Sequence, residues 1–152
     1  PAVVDLVDAA AAVKLGQCAV HHQAVFISAR RERQLLRPAA RANGNHNKTA
    51  NVKFVCADAA QWLLDASTSQ AKIDVVILDP PREGSDKNFL FALRKLQPRT
   101  IIYISCNPET QVRDLKELMT LYNIKQIQPV DMFPHTSHIE NVVVLNRRTN
   151  YQ

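Results

Sequence analysis

Three short stretches combine groups that could move a proton or form a bond. In "LDPPREG" (78–84), Asp79 is followed by Pro80 and Pro81, which set a stiff turn that cannot continue at once as helix. A carboxylate there can accept hydrogen bonds from a ligand, or it can cap its own loop. In "YISCNPET" (103–110), Cys106 stands directly before Asn107-Pro108, a pairing that starts helices. A helix N-terminus favours thiolate, the nucleophilic form of cysteine. A free cysteine can equally serve as a small buried hydrophobe. In "DMFPHTSHIE" (131–140), His135 and His138 are three apart and Glu140 follows. This reads either as metal ligands or as a loop that carries a general base, Glu140, toward Cys106. A metal site needs three or four ligands, and His21, His22 and His46 lie in a separate basic segment, so no metal is expected.

These stretches need elements to hold them, and the chain supplies an alternation of strand and helix. "AVVDLV" (2–7) reads as a buried strand, and a second, less regular one falls within 17–28. Residues 29–43 look helical, with Pro38 as a kink or break. "VKFVC" (52–56) is a strand, and a short helix with Trp62, Leu63 and Leu64 follows. "IDVVILD" (73–79) is an apolar, β-branched strand. Ser85 or Asp86 can cap the next helix, whose apolar face is Phe89, Leu90, Leu93 and Leu96 and which Pro98 stops. "TIIYIS" (100–105) is a strand. The helix after it has Val112, Leu115, Leu118 and Met119 in register. Two closing strands flank the histidine loop as a hairpin. The expected class is α/β, one domain over 1–152, with a mostly parallel sheet, helices on both faces and an antiparallel last strand. Ligands in such sheets bind beyond the carboxyl ends of the strands, where Asp79 and Cys106 fall.

Composition narrows the setting. The 152 residues suffice for one core, and 46% hydrophobic content excludes a disordered chain. No apolar run reaches the ~18 residues of a membrane helix, and the first residues lack a basic leader. A cytoplasmic location is the expectation. Cys18, Cys56 and Cys106 are far apart with no CxxC pair, which suits a reducing compartment. Residues 1–50 hold seven Lys/Arg against three Asp/Glu, so four of the five net positive charges lie there. A basic front fits a polyanion such as RNA, and also a solvated helix face.

"LDPPREG", "YISCNPETQVRDL" and "DMFPHTSHIENVVVL", in this order and spacing, closely resemble the S-adenosylmethionine-dependent RNA uracil-C5 methyltransferases, which make 5-methyluridine in transfer or ribosomal RNA. The resemblance spans residues 51–147, and residues 1–50 diverge. It implies a Rossmann-like class I methyltransferase fold, a catalytic domain, S-adenosylmethionine as cofactor and RNA as partner. By matching motif, the nucleophile falls on Cys106 and the proton-abstracting base on Glu140. The aspartate between cofactor and target base falls on Asp79, and the acidic residue facing the adenine on Asp58 in "VCADA".

The pattern also departs from the family. Its glycine-rich turn after the first strand corresponds here to "DLVDAAAAVKLG", with Ala9 and Ala11 where glycines would stand. A Cβ there obstructs close approach of a cofactor. The second strand ends in Ser28 and two arginines instead of a carboxylate for the ribose. Weak cofactor binding by this chain is therefore expected. Two other readings stand beside the resemblance. An amino-methyltransferase shares Asp-Pro-Pro but wants an aromatic where Arg82 stands. A non-catalytic RNA-binding module would explain the missing glycines but not Cys106 and Glu140.

Overall fold

The computed structural model describes residues 3–8, 23–28, 52–132 and 134–149. Seven strands form one sheet: β1 (Val3–Asp8), β2 (Gln23–Ser28), β3 (Val52–Cys56), β4 (Val75–Asp79), β5 (Thr100–Ser105), β6 (Tyr122–Val130) and β7 (Glu140–Arg147). Their order is β3-β1-β2-β4-β5-β7-β6. Three described helices intervene: α1 (Ala59–Thr68), α2 (Lys87–Leu96) and α3 (Pro108–Leu118). None is long and apolar enough to cross a membrane. The readings of a helix over 29–43 and of the turn with Ala9 and Ala11 lie outside the described residues.

Each helix starts at a side chain able to accept from its first turn. Asp58 caps α1, Asp86 rather than Ser85 caps α2, and Asn107 caps α3 with Pro108 in the first turn. Helix α2 ends at Gln97 in the left-handed region, followed by Pro98. Its Phe89, Leu90 and Leu93 are buried as the spacing predicts, and Leu96 packs against the core at its edge. Helix α3 differs from its expected face. Leu115 and Leu118 are buried, but Val112 and Met119 are 53% and 40% exposed, and Gln111 and Asp114 turn inward instead. Positions 111, 114, 115 and 118 form one helical stripe, so the inner face of α3 is half polar.

Period-two alternation defines the core. Val25, Ile27, Val76, Leu78, Ile101, Tyr103, Val143 and Leu145 share one sheet face and are buried. Leu63, Leu93 and Leu118 of the three helices close the same core. The other face, with Val75, Ile77, Ile102, Ile104, Val142 and Val144, is half-buried. Helices on both faces were expected; among the described residues they cover one.

The sheet is less parallel than the alternation suggested. β2·β4 and β4·β5 are parallel, while β1·β2, β1·β3, β5·β7 and β6·β7 are antiparallel. The last strand is antiparallel as expected, and β6–β7 is the expected hairpin. The first strand is the departure. It runs against both neighbours, so Val3 lies beside Ser28 and Cys56 while Asp8 lies at the opposite edge. An apolar strand pairs either way, and only a parallel neighbour demands a crossover. Strand-by-strand patterning therefore could not fix its direction.

Candidate active site

The carboxyl ends of β2, β3, β4 and β5 lie along one sheet edge, because β2, β4 and β5 are mutually parallel and β2 and β3 are both antiparallel to β1. Asp79 ends β4 and is half-buried, beside Ser28 in the register. Cys106 is a free, half-buried thiol one residue past β5. Glu140 opens β7 and is half-buried. Ser105 pairs with Asn141. Cys106 follows the first of these and Glu140 precedes the second, so the register brings the two segments to the same end of the β5–β7 ladder. Opposed residues in such a ladder have Cα atoms about 5 Å apart.

A buried amide holds this junction. Gln111, 1% exposed, donates from Nε2 to the carbonyls of Tyr103 (3.1 Å) and Asn141 (3.2 Å). Its Oε1 accepts from Asn141 Nδ2 at 2.6 Å. The turn around Cys106 is closed by Ser105, also 1% exposed. Its hydroxyl donates to the Asn107 carbonyl (3.0 Å) and accepts from the Asn107 N–H (3.1 Å).

The Asp-Pro-Pro loop is tied to α3 by four side chains. Asn107 Nδ2 and Thr110 Oγ1 donate to the Arg82 carbonyl at 3.1 and 3.0 Å. Arg113 donates to the carbonyls of Glu83 and Ser85. Asp114, fully buried, accepts from the Ser85 N–H (2.6 Å), the Tyr103 hydroxyl (2.7 Å) and Arg113 (2.7 Å). Gly84 permits this fit. Its φ is +81°, and a Cβ there would meet Arg113 Nη2 at 2.5 Å and Asp114 Oδ2 at 2.9 Å. Burial first, and then the bond to Asp114, push the Tyr103 hydroxyl well above the usual tyrosine range.

The third motif reaches the first. Arg82 Nη2 lies 2.7 Å from His138 Nδ1, and His135 adopts a left-handed φ of 69°. Among the described residues no group of three or more His, Cys, Asp or Glu could hold a metal ion. Asp58 stands apart from the cluster: exposed, it caps α1 by accepting from the Gln61 N–H at 2.9 Å. In the order β3-β1-β2-β4, three strand spacings put it roughly 14 Å from Asp79. Asp8, the last residue of β1, lies at the opposite edge. Residue-by-residue reading found Asp79, Cys106 and Glu140 but not Gln111, Asn141, Asp114 or the Arg82–His138 contact. Counting Gln111 and Asp114 inward from Leu115 and Leu118 at helical spacing would have marked the first of these.

Fold and site together describe an α/β protein in which the segments carrying Cys106 and Glu140 meet at the β5–β7 strand ends. The family model for tRNA (uracil-5-)-methyltransferase matches residues 38–148, and the chain belongs to that family. The match begins upstream of residue 51, where the motif resemblance started. An uncharacterized RNA methyltransferase of Bacillus cereus is 42% identical over 109 residues, which cover 72% of this chain and 24% of that protein. One of Staphylococcus epidermidis is 46% identical over 109 residues, again 72% and 24%. The chain thus spans about a quarter of the length of the curated relatives it matches. A crystal structure of the Pyrococcus abyssi tRNA (uracil-54, C5)-methyltransferase in complex with S-adenosyl-L-homocysteine shares the fold with a TM-score of 0.57 and 41% identity, over 70% of this chain and 25% of that one. The class I methyltransferase fold expected from the motifs is the one observed.

Proposed function

We propose that this chain is the catalytic domain of an enzyme that methylates C5 of a uridine in RNA, transfer RNA by the family's name, through a covalent intermediate on Cys106. The observation that carries this reading is the Ser105–Asn141 register, which supports Cys106 and Glu140 acting on one pyrimidine ring. C5 of uracil is a poor nucleophile. The Cys106 thiolate adds to C6, the S–C6 bond forms, and the C5–C6 electron pair moves into an enolate that makes C5 electron-rich. S-adenosylmethionine, when bound, supplies an electrophilic methyl group for C5. Glu140 then takes the C5 proton, the C5–C6 double bond returns, and the S–C6 bond breaks to free the thiolate. Asp58 and Asp79 are the residues that would hold the cofactor. The target base must leave its stack to reach the thiol. A cytoplasmic location follows from this role.

RNA carrying 5-fluorouridine at the target tests the assignment in a complete enzyme that carries this domain. After methylation C5 has no proton for Glu140 to remove, so the adduct is trapped. Cys106→Ala abolishes the adduct. Glu140→Gln forms it with ordinary uridine and releases it slowly. An adduct that survives Cys106→Ala would overturn the assignment and reopen the amino-methyltransferase reading.

A further inference from the structure

We infer that His138 is a positioning residue for the release step, fastening the loop that carries Glu140 to the loop that carries Asp79. This rests on the reading of Glu140 as the base. Arg82 is anchored through its main chain, because its carbonyl accepts from both Asn107 and Thr110 at the start of α3. Asn107 directly follows Cys106 and Thr110 lies in the first turn of α3, so Arg82 is fixed relative to the thiol's turn. Its guanidinium then reaches His138 Nδ1 at 2.7 Å. Arginine donates and cannot accept. In this contact His138 Nδ1 is therefore the acceptor. The His138 N–H donates to Thr136 Oγ1 at 3.2 Å, bracing the ring's own backbone. Two residues on, Glu140 enters β7. One arginine thus links all three motifs, and His138 is the group through which the third is held.

Both partners are exposed, and exposed polar pairs add little to stability. What this contact sets is where the loop before Glu140 sits. The consequence is selective. Thiol addition and methyl transfer use Cys106 and do not depend on that loop, whereas removal of the C5 proton does.

The test uses a complete enzyme carrying this domain, with two RNA substrates. Trapping on 5-fluorouridine RNA reports addition and methyl transfer, and clearance of the adduct on ordinary uridine RNA reports the Glu140 step. His138→Ala traps 5-fluorouridine RNA at the parent rate but clears ordinary adduct about tenfold more slowly, within the range a small misplacement of a reacting group produces. His138→Asn, whose Oδ1 takes the place of Nδ1 as acceptor, restores clearance. The thermal midpoint stays unchanged in both. Parent-like clearance in His138→Ala, an equal slowing of both steps, or a lowered thermal midpoint would each overturn the inference. Failure of the underlying reading shows separately, as an adduct that persists in Cys106→Ala, and would remove the inference with it.

Discussion

Cys106 sits in a turn that its own neighbours close. The Ser105 hydroxyl bonds the Asn107 main chain twice, and the Asn107 side chain caps α3 while reaching the Arg82 carbonyl. The thiol therefore has little freedom to drift from the Asp-Pro-Pro loop. Behind this turn, Tyr103 gives a pH signature of the same packing. Its hydroxyl is raised above the usual tyrosine range by burial first and by its bond to Asp114 second, and burial raises Tyr122 likewise. A raised value means that the folded state keeps a proton the unfolded chain has lost. The associated stability is complete below the unfolded value of ~10 and is lost as pH rises above it. Each such tyrosine contributes a slope of about 1.4 kcal/mol per pH unit in that window. Urea unfolding above pH 10 should show the Tyr103→Phe variant losing stability less steeply than the parent, by about that amount per unit, with Tyr122 supplying the remainder. Equal slopes would mean that Tyr103 ionises as freely in the folded chain as in the unfolded one.

At the scale of elements, the junction of β5, α3 and β7 positions the site. It depends on Gln111, whose amide satisfies two carbonyls and the Asn141 side chain at once. Gln111→Leu keeps the volume but removes all three bonds of this buried amide, a loss of about 1–3 kcal/mol. Urea unfolding should register that loss. Parent-like stability would show that the amide network is dispensable. The strand ends and caps around this junction were legible because they are local. Asn107-Pro108 starts a helix and Pro80-Pro81 prevents one, whatever lies nearby. The role of Gln111 was not legible, because Val112 and Met119 gave α3 an apolar count that tertiary packing overrode. Glu140 was singled out as a residue, but the register that sets its neighbour Asn141 beside Ser105 joins residues 36 apart, which no local pattern encodes. The Arg82–His138 contact is of the same kind, and the two histidines had no assigned role on sequence alone.

For the whole molecule, two features of the described residues bear on the expectation that this chain alone binds its cofactor weakly. Its described helices cover one sheet face, and the face bearing Ile77, Asp79, Ile104 and Val142 is only half-buried. Its first strand runs backward, so Asp8 lies at the edge away from Asp79. The direction of β1 could not be read from "AVVDLV", since an apolar strand fits either orientation. The sequence did mark this region as divergent, through Ala9, Ala11 and Ser28. Among the described residues the proposed reading assigns the cofactor to Asp58, one of whose oxygens already caps α1, and to Asp79. Each missing charge-assisted hydrogen bond removes ~1.5–3 kcal/mol, which is roughly one to two decades of affinity. Calorimetry with S-adenosylmethionine should give a dissociation constant well above the low micromolar range for this chain, and a tighter one for a complete enzyme that carries the same domain. Asp79→Asn should weaken the residual binding further. Low-micromolar binding by the chain alone would show that the edge formed by β2, β3 and β4 holds the cofactor without any turn after β1, and that the divergent first residues are no obstacle to it.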